Sequence, residues 1–187
     1  MKSTIKSAQH LDELELHKLL KYLYKEQLWK YYLLVSFGAS TALRYGDMSR
    51  LTWGDITSGP KLILQESKTS KYREIPLNTR LIEIIHECHQ RLNEPSKDEL
   101  VFNLRIRTVN KQIKIHANKC GIRKKRVSTH SLRKTFGRMV WEKNNQSEGS
   151  LIMLSHLFNH SSTAITRIYL DITREEVSSL YNLDFHV

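Results

Sequence analysis

His130 and Arg133 stand three positions apart in HSLRKTF, which puts both on one face of any helix they share. An imidazole that titrates near neutrality, beside a planar and permanently charged guanidinium, is equipped to move a proton next to an anion. Arg44 closes an apolar stretch in TALRYGDMSRLTWGDI, with Asp47 three positions on, and His160 precedes Tyr169 by nine positions in LFNHSSTAITRIYL. Lys68 and Lys71 lie in the polar middle of LQESKTSKYREIPL, and Arg123, Lys124, Lys125 and Arg126 form an unbroken basic run shortly before His130. Singly, each has an ordinary alternative. Arg44 reads as one surface cation among thirty basic residues, His130 and Arg133 as the start of a capped helix, and Tyr169 as one of eight tyrosines that mostly pack. His156 and His160, four apart, could share a metal on a helix face, but no third ligand stands at a suitable spacing, so no metal is expected.

The whole chain carries a formal charge of +11 on 187 residues, a field that attracts polyanions, with nucleic acid the first candidate. With 40% hydrophobic and 26% charged residues it can bury one core, and a single domain over residues 1–187 is the expectation. Seven glycines and three prolines exclude a collagenous or low-complexity chain. No apolar run approaches the roughly 18–20 residues of a membrane span, and the opening MKSTIKSAQH lacks the apolar stretch and cleavage site of a secretory signal. Cys88 and Cys120 are too few and too far apart for a disulfide scaffold, so both are expected as buried thiols in a reducing cytoplasm.

The elements that must position these groups follow from periodicity. Leucines at 11, 14, 16, 19, 20 and 23 predict an amphipathic helix, and the apolar stretch from Tyr31 to Leu43 predicts a buried one running into Arg44. A further helix is expected near Asp47, carrying Met48 and Leu51. Residues 61–66 and 72–77 read as two strands of a β-hairpin with a basic tip. Leu81, Ile84, Ile85, Cys88 and Leu92 mark the next helix, and Ile106, Val109, Ile113, Ala117 and Cys120 another, which Gly121 closes. Ser128 or Thr129 caps a helix over 130–141; shorter helices are expected near 150–158 and 162–168, and an amphipathic segment over 173–183. The fold class is mainly α with one small antiparallel sheet.

These motifs together resemble the catalytic domain of the tyrosine recombinases, the phage integrase family, over nearly the whole chain. TALRYGDMSRLTWGDI is similar to the family's first arginine motif, HSLRKTF to its His-x-x-Arg box, and LFNHSSTAITRIYL to the box that ends in the tyrosine. The resemblance implies catalytic roles for Arg44, Lys68, His130, Arg133, His160 and Tyr169, with Asp47 as the supporting acid of Arg44. Lys71 is the alternative hairpin lysine, otherwise a phosphate contact together with Arg123, Lys124, Lys125 and Arg126. Asn159 stands where the family commonly has glycine before the histidine. Asparagine also tolerates a left-handed backbone, so the turn is expected to survive.

By that resemblance, the Tyr169 phenol attacks a DNA phosphodiester and the strand is held as a 3′-phosphotyrosine until a second hydroxyl reverses the step. Arg44 and Arg133 would neutralise the nonbridging oxygens. His130 and His160 would donate there too, His130 being the first candidate to take the phenol proton, and Lys68 would protonate the leaving 5′ oxygen. No metal and no nucleotide cofactor is implied. The expected partners are double-stranded DNA and, on paired sites, three further copies in a tetramer, with a monomer in the absence of DNA. Neither the N-terminal core-binding domain nor the arm-binding domain of the larger family members is expected within these residues. A DNA-binding regulator that has lost strand exchange, and a topoisomerase acting on one site at a time, are the alternatives.

Overall fold

The computed structural model describes residues 7–67, 70–172 and 181. It is mainly helical with one two-stranded sheet, as the periodicity predicts. Helix α1 (Glu13–Lys25) starts at Asp12, whose side chain accepts the Glu15 N–H while the Glu15 carboxylate accepts the Asp12 N–H. A reciprocal cap of this kind contributes about 1 kcal/mol. Helix α2 (Trp29–Thr41) is buried continuously from Tyr32 to Gly38, which explains why its sequence is apolar all round.

The single helix expected near Asp47 is instead two short ones, α3 (Tyr45–Met48) and α4 (Trp53–Thr57). The break lies at Thr52, which takes the Asp55 N–H and receives the Asp55 carboxylate on its own N–H, starting a new helix. Leu51 therefore lies between helices, its carbonyl accepting the Val101 N–H at 2.9 Å. Strands β1 (Lys61–Gln65) and β2 (Tyr72–Pro76) pair antiparallel in a register running from Lys61 opposite Pro76 to Gln65 opposite Tyr72. Leu62, Leu64 and Ile75 point inward.

Helix α5 (Thr79–Arg91) buries Leu81, Ile84, Ile85 and Cys88, and α6 (Ile106–Lys119) buries Val109, Ile113, His116 and Ala117. Gly121 follows α6 with φ +93°, a conformation that side chains other than glycine rarely adopt. Helix α7 (Thr129–Lys143), α8 (Glu148–Phe158) and α9 (Thr163–Tyr169) complete the described elements. The expected segment over 173–183 falls, apart from residue 181, outside the described residues.

The chain divides into two units, residues 1–136 and 137–187, the division falling within α7. In the first, Leu33, Phe37, Leu62, Ile85 and Leu132 belong to one buried core. A Cβ on Gly38 would stand 2.9 Å from Leu132 Cδ1, so this glycine lets the first part of α7 lie close against α2. In the second, a Cβ on Gly137 would meet Leu170 Cδ2 at 2.7 Å and Phe158 Cζ at 2.8 Å. That close approach seats the ends of α8 and α9.

Two buried groups depart from simple core chemistry. His116 is 6% exposed, packs on the rings of Tyr31 and Tyr22, and offers two ring nitrogens that find no hydrogen-bond partner among the described residues. Burial, then the Lys119 charge, holds its pKa below the ordinary histidine value. Cys88 is the buried thiol expected, pushed up to about 12 by burial and by Glu87. Cys120 corrects the expectation: it is half-buried, because it lies at the C-cap of α6, where the helix leaves the core.

Candidate active site

Arg44 owes its place to the end of α2. After Thr41 the backbone turns left-handed at Ala42 (φ +55°), Leu43 anchors in the core at 2% exposure, and Arg44 is extended at the N-cap of α3. The next residue is fixed as well. The buried Tyr45 hydroxyl donates to the Leu104 carbonyl at 2.7 Å and lies 3.1 Å from that of Phe102. The guanidinium of Arg44 is therefore carried on a backbone with little freedom, its side chain 23% exposed.

Arg133 is 3% exposed on α7, and its Nη1 donates to the Ala42 carbonyl, two residues before Arg44. A guanidinium has five donors in a planar fork, a geometry that can serve a carbonyl and an anion together. One turn earlier, α7 begins at Ser128, whose Oγ accepts the His130 N–H at 3.2 Å, while the Thr129 N–H donates to Asn110 Oδ1 at 2.9 Å. Of the two capping candidates, Ser128 does the capping. Arg44, His130 and Arg133 then line one open cleft of about 330 Å³ together with Asp47 and Ser67. His130 is exposed to solvent as well. Loss of hydration lowers the His130 pKa, and Arg133, Arg44 and Lys134 push it the same way, so the sign holds however much water reaches the ring.

Asp47 faces the hairpin. Its Oδ1 accepts the Ser67 N–H at 2.8 Å and the Ser67 hydroxyl at 2.6 Å, and lies 3.3 Å from Arg50 Nη2. Burial raises its pKa, but the two Ser67 bonds, then Arg50 and Arg44, outweigh that, so the carboxyl lies below its usual range. The carboxylate thus feels the Arg44 charge and ties down the hairpin at Ser67, the residue before Lys68. Lys68 itself falls outside the described residues.

The second unit carries the remaining pair. Helix α8 ends at Asn159 in the left-handed conformation (φ +54°, ψ +48°), the turn expected of a residue standing in for glycine, and the His160 N–H closes it on the Ser155 carbonyl at 2.9 Å. The Nδ1 of His160 sits 3.0 Å from Oγ1 of Thr166, a fully buried residue of α9. Tyr169, last residue of the same helix, stands edge-on to His160 and to Phe158 at ring centroid separations of 5.2 and 5.3 Å. Histidine and tyrosine are neighbours.

Of the basic set, Lys71, Arg123 and Lys124 are exposed. Lys125 instead pairs with Glu15 and Asp12, and Arg126 Nε donates to the Ser7 carbonyl, so both cationic heads have protein partners. Sequence reasoning missed Glu66, Ser67, Arg73 and Thr166. One signal was present: Leu62, Leu64 and Glu66 continue a single inward alternation, and a carboxylate in an inward position calls for a cation.

The phage integrase family model matches residues 9–176. The probable integrase/recombinase YoeC of Bacillus subtilis (strain 168) is 28% identical over 185 residues, covering 96% of this chain and 94% of that one. The crystal structure of the XerH site-specific recombinase bound to palindromic difH substrate, a post-cleavage complex, aligns with a TM-score of 0.69 at 25% identity, over 95% of this chain and 54% of that one. A lambda integrase tetramer bound to a Holliday junction shares the fold, with a TM-score of 0.64 at 19% identity over 90% of this chain and 50% of that one. The chain spans nearly all of YoeC but about half the length of other curated relatives it matches.

Proposed function

The chain belongs to the phage integrase family, the tyrosine recombinases, and from that membership we propose that it is an enzyme that cuts and rejoins duplex DNA at specific sites, through a 3′-phosphotyrosine on Tyr169. The observation that carries this reading is the cleft in which Arg44, Arg133 and His130 meet. Two guanidiniums there suit the two nonbridging oxygens of a phosphodiester as charge gathers on them.

In the proposed reaction the Tyr169 oxygen bonds to phosphorus, the bond to the 5′ oxygen breaks, and a proton from Lys68 completes the departing 5′ hydroxyl. Lys71 is the substitute if Lys68 does not. An unperturbed phenol has a pKa of about 10, so its proton must be taken during attack. His130 suits that duty, because its depressed pKa leaves it neutral and accepting at neutral pH. His160 adds a donor to the phosphate. The reverse attack by a 5′ hydroxyl on the phosphotyrosine restores the strand. The arginines supply the positive charge that metals supply in other phosphoryl transfers, so the scheme calls for no cofactor.

Exposed Lys71, Arg123 and Lys124 would add phosphate contacts, which give affinity without sequence information. Assembly as a tetramer on paired sites, from monomers, is proposed on the fold shared with the lambda integrase tetramer. No helix among the described residues is long and apolar enough to cross a membrane, and the proposed place of action is the cytoplasm, where DNA lies.

The test is covalent capture. The full chain is incubated with a pool of duplexes that carry a randomised core and a nick, so that a short 5′-hydroxyl fragment diffuses away and traps the linked strand. Protein-linked strands that protease releases, and that Tyr169→Phe abolishes, are the expected result. Linkage undiminished in Tyr169→Phe, or a wild-type chain that links to no strand, overturns the reading.

A further inference from the structure

We propose that Glu66 is a positioning residue for strand cleavage: its buried carboxylate, clamped by Arg73, sets the place of the Arg44 guanidinium. The inference rests on the reading of Arg44 as a phosphate-binding arginine.

Glu66 is 7% exposed, and carboxylates are rarely buried to that degree unless paired. Among the described residues, Arg73 and Arg44 stand near it at unequal distances. Arg73 Nη1 donates to its Oε1 at 3.1 Å, whereas Arg44 Nη1 stands 3.7 Å from Oε2. The first is a hydrogen-bonded ion pair and the second an attraction across a wider gap. Arg73 is braced at its other end, because its Nη2 donates at 3.3 Å to the carbonyl of Thr41, the last residue of α2. The main chain of Glu66 is fixed too, its N–H donating to the Lys71 carbonyl at 3.0 Å and its carbonyl accepting the Ser70 N–H at 2.9 Å. A carboxylate held this firmly is a fixed negative point beside a three-carbon cationic arm.

Arg44 needs such a point. Arg133 lines the same cleft and repels it, and a partly exposed guanidinium is drawn towards water. Glu66 offsets both from 3.7 Å, so an arriving phosphate finds the fork already turned towards it. Full hydrogen bonding of Arg44 to Glu66 would instead make the carboxylate a rival of the substrate.

The test uses the full chain and the duplex captured above, with single-turnover cleavage as readout and thermal melting as control. Glu66→Gln keeps the shape and removes the charge, and it is expected to slow cleavage about 10- to 100-fold. In an Arg44→Lys background the same change is expected to cost less than about 2-fold, since residues that act through one another are not additive. Glu66→Asp, which keeps the charge but withdraws it by one methylene, is expected to fall between, and it serves if the glutamine variant does not fold. A duplex with sulfur at the bridging 5′ position, whose thiolate leaves without a proton, is expected not to restore Glu66→Gln.

Equal losses in both backgrounds, or restoration by sulfur, overturn the assignment to Arg44. A wild-type chain that forms no linkage overturns the functional reading and takes this inference with it; linkage in the wild type with unchanged rates in Glu66→Gln overturns the inference alone.

Discussion

The two arginines and the histidine–tyrosine pair are held by different kinds of contact: carbonyls and a carboxylate for the first, a hydroxyl and aromatic rings for the second. Arg133 is buried and bonded to the Ala42 carbonyl, and Arg44 faces a carboxylate that is itself clamped. Around them, Tyr45 grips two loop carbonyls and Asp47 grips Ser67. His160 meets Thr166 through its side chain and shares edge-on aromatic packing with Tyr169, which stands at the end of the short α9. Groups that neutralise charge gain from being fixed in advance, because any reorganisation would be subtracted from transition-state stabilisation. In the proposed reaction a group that forms a covalent bond, and later releases it, gains instead from being able to move, which ring packing resists less than directed hydrogen bonds do.

That contrast can be broken. Arg133→Lys keeps the charge but replaces a five-donor fork with a single ammonium, which cannot serve the Ala42 carbonyl and a phosphate in the same geometry. Single-turnover cleavage is expected to fall about 10²- to 10³-fold. Thr166→Val removes the partner of His160 Nδ1 without changing the volume of a fully buried side chain, and about a tenfold loss is expected, with Thr166→Ser close to wild type. If the two losses prove equal, the difference in anchoring has no catalytic meaning.

The smallest effect separates scaffold from site within the first unit. His116 has a folded-state pKa below its unfolded value, so the unfolded chain binds the proton more readily. Stability is therefore full above about pH 6.5, falls as pH drops through that unfolded value, and levels off below the folded one. His116→Phe is expected to remove this loss, raising the melting temperature at pH 5 by about 2–4 °C relative to wild type while changing it little at pH 7.5. His130 titrates in the same direction in both proteins, so the difference between them reports His116 alone. A melting curve with the same pH slope in the variant would dismiss the assignment.

Much of the fold was legible because most helices are long enough for their apolar period to show. Of the positions the spacing marked, α1 buries Leu19 and Leu23, α5 buries Leu81, Ile84, Ile85 and Cys88, and α6 buries Val109, Ile113 and Ala117, whereas Leu14 and Ile106 are exposed; Gly121 ends α6 as expected. The break between α3 and α4 was not read, since four- and five-residue helices are too short to display a period, although Thr52 and Asp55 spell out a cap. In the site, motif order led to Arg44, His130 and Arg133, which share a cleft. It could not reveal the partners that depend on the packed chain: Glu66 meets Arg44 across 22 positions, and Lys125 meets Glu15 across 110. Runs of charge say where cations are plentiful, not which of them fold back onto acids.

Ala42 links the two arginines through the backbone. Its methyl group is fully buried, its φ of +55° costs an alanine about 1–2 kcal/mol that glycine would not incur, and its carbonyl is the one Arg133 holds. With glycine there, the peptide could rock and each guanidinium would drift apart from the other. With alanine, the reach of Arg133 is geared to the backbone from which Arg44 springs, so the two guanidiniums share one stiff footing.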